Sequence, residues 1–376
     1  MTISLDDLPL IDHHCHVLVH HDLDRPGFEA LLSEGGEPAD GTTRFNTRIG
    51  LAIRRHCAPV LDLPALSSAE DYLARRAEMG PGEANRRLLQ AADLEGLLVD
   101  TGLSGPELGT IEQLSSVAGF LAREVIRLEA VAEQVAADGV DPSGFADAFA
   151  RRLAEATSRA EAVAVKSIVG YRVGFDLDPT APDPAAVEAA AATWLAGDAS
   201  APQRLADPTL ERHLLWCAVE LGLPIQLHVG YGDADIRLHR NNPALLTDWL
   251  HLIGSRVPVM LLHCYPYQRE AGYLAAVYPN VYVDLGLTLS YLGPTRSAAV
   301  LEEALELCPF DKMLFSTDAF GLAELYLLGS LGFRSGLAEL LSRHVDDGEW
   351  SDADAHRIAD MIGTGNARRV YHLDDG

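Results

Sequence analysis

The chain has 376 residues, of which 48% are hydrophobic, and its 55 acidic and 29 basic side chains give a formal charge of −26. This composition supports a large buried core and excludes intrinsic disorder. The negative charge disfavours nucleic acid and membrane partners, because it would repel their phosphate groups. Five cysteines without a C-x-x-C pair indicate neither a disulfide framework nor a zinc ribbon, and no leader-like N-terminus is evident, so we expect a cytoplasmic location.

Short apolar runs alternate with amphipathic stretches along most of the chain, as repeated βα units do. They predict an α/β fold, a (β/α)8 TIM barrel that occupies residues 1–376 as a single domain. The predicted strands are 8–16, 96–100, 124–128, 162–169, 224–228, 257–263, 281–285 and 312–316. The predicted helices include 142–159, 185–195, 208–221, 243–253, 269–277 and 296–307, with further packing helices at 352–372.

The stretch from about residue 20 to 92 interrupts this rhythm. It is too long for one crossover and contains an amphipathic segment at 69–91, so it predicts a mainly helical insertion after strand 1. Such an insertion would lie over the face at which the strands end. Two roles are open for it: a cap on the barrel, or a lid or wall for the substrate.

Strand 1 ends in two histidines, His14 and His16, at a spacing of two. Alternate residues of a strand face the same side, so both imidazoles would point into one cavity, whereas His13 and Cys15 would point away. This is a metal-chelating arrangement, although such a pair also occurs by chance on solvated strands.

Three further candidate ligands follow predicted strands. His228 and His263 each end an apolar run, about one βα unit apart, and Asp318 follows the last strand. Barrel closure would bring Asp318 beside the histidines of strand 1. Singly, a rim histidine could cap a carbonyl and an aspartate could cap a helix. Together they predict a buried divalent metal, best Zn²⁺, with Fe²⁺ or Mn²⁺ as alternatives.

Lys166 lies inside the apolar strand 162–169, where a charged ammonium is costly unless it is paired or modified. Three explanations are open. Lys166 could pair with a barrel carboxylate, or its stem could extend to the rim. It could also be carbamylated by CO₂ and so become a carboxylate that bridges two metals.

The ordered set His14-x-His16, Lys166, His228, His263 and Asp318 resembles the ligand pattern of the amidohydrolase superfamily of metal-dependent TIM barrels. The runs at 165–172 (VKSIVGYR), 228–233 (HVGYGD), 263–273 (HCYPYQREAGY) and 315–318 (FSTD) resemble its amidohydrolase-related (amidohydrolase 2) group more narrowly. That group includes the domains fused to glutamine synthetase-like modules. The resemblance extends from about residue 8 to 373 and is weakest in the predicted insertion.

The resemblance implies a hydrolase of an amide-type C–N bond. A metal-activated hydroxide would attack a carbonyl, and Asp318 would carry the proton to the leaving amine. The alternative is a non-oxidative metal-dependent decarboxylase of a small carboxylic acid, because related barrels with similar ligands catalyse that reaction. A binding domain with a vestigial site is a third reading, which the full ligand set disfavours.

The resemblance leaves the metal count open. In a binuclear site, the strand 1 histidines and Asp318 would hold one ion, His228 and His263 the other, and carbamylated Lys166 would bridge them. In a mononuclear site, the strand 1 histidines, His228 and Asp318 would bind one ion. His263 would then become the catalytic acid or electrophile.

The loops beyond the strands carry the candidate substrate-binding residues, where a barrel keeps its specificity. They are Tyr171, Arg172, Tyr231, Asp233 and Tyr265. Arg172 could bind a substrate carboxylate with two hydrogen bonds and Asp233 could meet an amine, which would suit a γ-glutamyl or amino-acid-like amide. Each residue could instead make a structural contact at the rim. We expect a small-molecule substrate, and homo-oligomerisation remains open.

Overall fold

A computed structural model describes residues 3–103, 105, 107–120, 122–197 and 203–373. Seven strands form one parallel sheet, and their order in the sheet is their order in the chain. They are β1 (Ile11–Cys15), β2 (Gly96–Asp100), β3 (Ala122–Arg127), β4 (Ala164–Ser167), β5 (Ile225–His228), β6 (Val259–Leu262) and β7 (Val281–Val283). The strands are short and mostly buried, as parallel strands covered on both faces are.

Helices follow or precede each strand in the described part of the chain. Up to β4 they are α1 (Arg25–Ala30), α2 (Arg48–Ala52), α3 (Ala58–Val60), α4 (Ala69–Met79), α5 (Pro81–Ala92), α6 (Ile111–Ala118), α7 (Leu128–Ala137) and α8 (Phe145–Arg159). Beyond β4 they are α9 (Val169–Arg172), α10 (Pro184–Leu195), α11 (Pro208–Leu221), α12 (Thr247–Ile253), α13 (Gln268–Val277), α14 (Leu289–Leu292), α15 (Pro294–Leu305), α16 (Ala323–Asp346), α17 (Asp352–Asp360) and α18 (Asn366–Tyr371). Short 3₁₀ turns lie at Arg44–Asn46, Pro142–Gly144, Leu238–Asn241, Pro243–Leu246 and Phe310–Lys312, and π turns at Ile53–Cys57 and Met361–Gly365.

The eighth predicted strand is not formed, and the prediction of an eight-stranded barrel is corrected here. Residues 312–316 include the end of a 3₁₀ turn, and Met313 makes one isolated parallel bridge to Val283 of β7. The segment nevertheless joins the two edges of the sheet, because Leu314 N–H donates to Val283 O at 2.9 Å and His13 N–H donates to Phe315 O at 3.1 Å. At Asp318 the backbone has a φ of 49°, in the left-handed region, although main-chain hydrogen bonds to the chain after β1 continue as far as Gly321.

The chain between β1 and β2 is largely helical. The predicted amphipathic segment at 69–91 is two helices, α4 and α5, which are separated at Gly80. Gly80 has a φ of 79°, and Pro81 then begins α5. The first N–H groups of a helix have no partner within the helix, so the missing N–H of proline costs no hydrogen bond there. A buried ion pair of 2.8 Å between Arg76 Nε and Glu324 Oε1 fastens α4 to α16.

In the described residues, three apolar clusters surround the sheet and leave its carboxyl edge for polar groups. One lies between the strands and the outer helices, and one packs the segment between β1 and β2 against the start of α16. The smallest joins strand residues such as Ile11, Leu98 and Met260 to Tyr371 of α18. All five cysteines are free thiols. In the described residues, no helix is both long and apolar enough to cross a bilayer.

Candidate metal centre

Three predicted ligands meet at the carboxyl end of β1. The Nε2 atoms of His14 and His16 lie 3.1 and 3.3 Å from the same carboxylate oxygen, Oδ1 of Asp318. The ligand atoms of these three residues all lie within 4.8 Å of one another, and the residues are buried. His263 approaches the other oxygen of this carboxylate, with Nε2 3.4 Å from Oδ2. The expected convergence of the ends of the strands therefore occurs.

The backbone of Asp318, which carries this carboxylate, has an uncommon conformation. The N–H of Asp318 donates to His14 O at 3.0 Å, and the preceding Thr317 donates its N–H to the Asp12 carboxylate at 2.9 Å. Asp318 and His263 both have positive φ values, 49° and 68°, which few non-glycine residues adopt. Such strain persists where surrounding contacts impose it, and it concentrates at functional sites.

A main-chain carbonyl determines which ring nitrogen of His16 carries the proton. Its Nδ1 lies 3.0 Å from Asp100 O, which can only accept, so Nδ1 carries the proton and Nε2 presents a lone pair towards Asp318. Asp100 is held in turn by Arg127, whose Nη2 donates to its carboxylate at 2.6 Å. Burial works against the carboxylate of Asp100, but Arg127 and the nearby histidines hold its pKa below the usual range.

Lys166 lies beside this group, with its Nζ 3.1 Å from His14 Nε2 and the residue only 2% exposed. Burial lowers the pKa of Lys166 to about 8, against the opposing pull of Asp100 and Asp318. The site therefore contains a lysine amine with an appreciable neutral fraction near physiological pH.

His228 and His263 adjoin the three-residue group but are oriented differently. His228 directs Nε2 to Tyr231 O at 3.0 Å, so that nitrogen carries the proton, and its ring centroid lies 4.8 Å from that of His263. His263 is fully buried, and neither of its ring nitrogens has a hydrogen-bond partner among the described residues. Burial lowers the pKa of His228 well below its ordinary value. Charge repulsion from His263 and from Lys166 lowers it further.

The donor set fits a divalent ion. Burial, then the charge of Lys166, lowers the pKa of His14 to about 3, so its imidazole is neutral at physiological pH. Burial opposes the charge of Asp318, yet the neighbouring His263 holds its pKa well below the usual value. Imidazoles around one carboxylate, with a buried histidine beside them whose ring nitrogens have no hydrogen-bond partner, are the ligands that Zn²⁺ and similar ions prefer.

A cavity of about 300 Å³ opens over this group. Its described lining residues are His16, Glu34, Leu103, Arg127, Lys166, Ile168, Tyr171, Arg172, Arg204, His228, Asp233, Asp235, Asp318 and Phe320. The candidate ligands therefore lie at the base of a space that is large enough for a small-molecule substrate.

The five predicted substrate-binding residues divide into two groups. Tyr171, Arg172 and Asp233 line the cavity, and the Tyr171 ring lies 4.4 Å from that of His228. Arg172 already donates to Glu133 at 3.0 Å. Tyr231 and Tyr265 are not among the described lining residues and contribute carbonyls instead: Tyr231 O holds His228, and Tyr265 O accepts from Tyr231 N–H at 2.7 Å.

The polar residues near the site that the sequence analysis did not single out include Gln226, Asp284 and Glu34. Gln226 contacts His14 Nδ1 at 2.9 Å, and Asp284 accepts from His263 N–H at 2.9 Å. Both had a signal, because Gln226 interrupts an apolar strand and Asp284 ends β7 as the ligands end theirs. Glu34 reaches the cavity from the segment between β1 and β2, and no local pattern marks it.

A sequence model of the amidohydrolase family matches residues 11–373. The chain belongs to this family. The amidohydrolase is also 30% identical over 401 aligned residues to the protein fluG of Emericella nidulans, a match that covers 98% of the chain and 46% of fluG. The chain thus spans about half the length of this curated relative.

Solved structures support the same assignment. A Lactobacillus casei protein, provisionally described as a metal-dependent hydrolase, is 29% identical, with a TM-score of 0.85 and coverage of 100% of this amidohydrolase and 99% of that chain. A uronate isomerase of Thermotoga maritima shares the fold at 15% identity, with a TM-score of 0.65 and coverage of 97% and 95%. The family and the first of these structures support a metal-dependent enzyme.

Proposed function

We propose that this amidohydrolase hydrolyses an amide-type C–N bond with a divalent ion, Zn²⁺ by preference, held by His14, His16 and Asp318. The observation that carries this proposal is the meeting of two imidazole Nε2 atoms and one carboxylate at the base of an open cavity. A divalent ion bound by such a set lowers the pKa of water towards neutrality and so supplies a hydroxide nucleophile.

We infer that Asp318 handles the proton in this reaction. Its Oδ1 faces the two ligand histidines, whereas its Oδ2 lies on the side of His263, 3.4 Å from Nε2. We assign Asp318 the removal of the proton from the attacking water and its delivery to the leaving nitrogen. His263, whose ring nitrogens have no hydrogen-bond partner in the described structure, would support the developing charge or bind a second ion with His228.

Lys166 is our candidate for carbamylation. Its neutral amine would attack the carbon of CO₂, form an N–C bond and release one proton, which converts an amine into a carboxylate. The pKa of about 8, caused mainly by burial, favours this reaction because only the neutral amine is nucleophilic. The Nζ that would carry this carboxylate lies 3.1 Å from His14 Nε2, so the new group could complete a binuclear ligand set.

Charges in the cavity favour a substrate that carries an amine. Three lining arginines already have acidic partners: Arg127 with Asp100, Arg172 with Glu133 and Arg204 with Asp235. Among the described residues, the lining acid Glu34 has no such basic partner, and Asp233 has only the nearby charge of Arg204, which already pairs with Asp235. Burial and the charges of Asp318 and Asp233 raise the pKa of Glu34 to about 8, and a cationic ligand would relieve this repulsion. We therefore propose an amino-acid-like amide, with γ-glutamyl amides as the leading class.

A product assay separates hydrolysis from decarboxylation. Protein loaded with Zn²⁺ is incubated with γ-glutamyl and aminoacyl amides and, separately, with small aromatic and unsaturated carboxylic acids. We expect equal amounts of free amine and new carboxylate from at least one amide, no CO₂ from the acids, and no turnover by Asp318→Asn. Release of CO₂ from an acid, with no amide cleaved, would instead establish the decarboxylase alternative.

A further inference from the structure

Five buried polar side chains form a continuous hydrogen-bonded row beneath the candidate metal centre. Asp284 Oδ2 contacts His13 Nε2, His13 Nδ1 contacts the hydroxyl of Tyr371, that hydroxyl contacts Gln226 Nε2, and Gln226 Oε1 contacts His14 Nδ1, each at 2.9 Å. Tyr371 is 3% exposed and the other four residues are fully buried. The prediction that the His13 side chain points away from that of His14 is therefore wrong, because both side chains join the same network. The pairing register of β1 with β2 shifts in this region, so side chains do not alternate strictly between the two faces.

The orientation of the Gln226 amide is determined by a group that can only accept. Gln226 Nε2 lies 2.7 Å from the main-chain oxygen of His13, so the nitrogen must be on that side. Oε1 then faces His14 Nδ1 and can only accept from it. It follows that His14 carries its proton on Nδ1 and has a lone pair on Nε2.

The far end of the row is consistent with this assignment. The oxygen of Tyr371 accepts from Gln226 Nε2, so its own hydrogen is free to be donated to His13 Nδ1. His13 then donates Nε2–H to the carboxylate of Asp284. Each hydrogen of the row has one position, and no two donors or two acceptors face each other.

A separate contact agrees with the lone pair on His14 Nε2. The Nζ of Lys166 lies 3.1 Å from this nitrogen, and a lysine amine has N–H groups to donate to it whether or not it is protonated. The same nitrogen is 3.1 Å from Asp318 Oδ1, so two atoms with lone pairs approach each other. This pairing is repulsive unless a cation lies close to both atoms.

We propose that Gln226, oriented by the His13 carbonyl and by Tyr371, is a positioning residue of the metal centre that keeps the proton of His14 on Nδ1. A proton on Nε2 would occupy the lone pair that a divalent ion needs. The inference rests on the proposed metal centre, but it does not depend on the substrate or on the bond that is broken.

The tautomer can be measured in metal-free protein. ¹⁵N NMR of histidine-labelled protein distinguishes a protonated from an unprotonated ring nitrogen, and the His14 signals are identified by their loss in His14→Ala. We expect wild-type His14 to be protonated at Nδ1 and Gln226→Leu to show a mixture of both tautomers. A wild-type His14 protonated at Nε2 would overturn the proposal, even if the variant did not fold.

Zinc affinity, measured by competition with a chelator, is the second readout. Removing an outer hydrogen bond to a ligand histidine typically weakens metal binding by about 10- to 100-fold, which we expect for Gln226→Leu. Tyr371→Phe leaves the bond between Gln226 and His14 in place, so we expect the Nδ1 tautomer and less than about a tenfold loss of affinity. Thr157→Val, which removes a buried hydroxyl of α8, is the matched control and should bind zinc as the wild type does.

The outcomes separate this proposal from the proposed function. A folded Gln226→Leu protein with wild-type zinc affinity and His14 still protonated only at Nδ1 would refute the role of Gln226. Failure to cleave any amide, with the expected tautomer and affinities, would refute the proposed reaction alone.

Discussion

Replacing Glu34 by Gln should selectively weaken the use of substrates that carry an amine. The carboxyl group lines the cavity without a basic partner among the described residues, and the substitution preserves its shape while preventing the ionisation that a bound ammonium would favour. A substrate ammonium bound to wild-type Glu34 would gain a charge-assisted hydrogen bond that the amide of glutamine reproduces poorly.

The size of the effect follows from the exposure of Glu34. A hydrogen bond to a charged group contributes about 1.5–3 kcal/mol when it is buried. Glu34 is only partly buried, so solvent screening reduces the expected contribution to about 1–2 kcal/mol. This free energy corresponds to roughly a 5- to 30-fold change in relative kcat/KM.

The assay compares two substrates of one length, an aminoacyl amide and its analogue without the amino group. We expect Glu34→Gln to lower the kcat/KM of the aminoacyl amide relative to that of the analogue by roughly 5- to 30-fold, mainly by raising the KM of the aminoacyl amide. Glu37→Gln makes the same charge change at an exposed position nearby and should leave the ratio as it is. An equal loss for both substrates, or no loss for either, would refute the assignment of Glu34 to the amine.

Three further predictions concern the ligands and the fold. His14→Ala and Asp318→Ala should each abolish turnover and lower bound zinc by elemental analysis while circular dichroism stays native; full activity in either contradicts the metal assignment. Lys166→Ala should be inactive and regain activity with added short-chain carboxylates if the lysine is carbamylated, whereas full activity without them rules the carbamate out. Arg334 is 4% exposed and donates hydrogen bonds to the carbonyl oxygens of Leu8, Ala92 and Asp93. Arg334→Met should therefore lower the free energy of unfolding, measured in urea, by about 3–5 kcal/mol. A loss under about 1 kcal/mol would show that these hydrogen bonds contribute little to stability.

The meeting of the ligands was predictable because it depends on a regular rule. Residues that end parallel strands lie at one edge of the sheet, so His14, His16 and Asp318 could be brought together without knowledge of the loops. Helices with clear signals were also predicted well: α11 has the predicted bounds, since Asp207 caps it and Gly222 ends it.

The errors arose where local rules give way to tertiary contacts. Strand 8 was predicted from its apolar run, but Asp318 turns into the left-handed region, and Thr317 donates its N–H to the side-chain carboxylate of Asp12 in β1 rather than to a main-chain carbonyl. The roles of Arg172 and Glu34 depend on partners far away in the chain. The sequence contains no sign that Glu133 pairs with Arg172 or that Glu34 reaches the cavity.

Anomalous X-ray scattering at the zinc edge, from crystals of zinc-loaded protein, tests the metal centre most directly. We predict a strong peak about 2.0–2.2 Å from the Nε2 atoms of His14 and His16 and from a carboxylate oxygen of Asp318. A second peak beside His228 and His263, with added density on Lys166, would establish the binuclear form. A fully loaded protein whose only zinc peak lies away from these three residues would contradict the account.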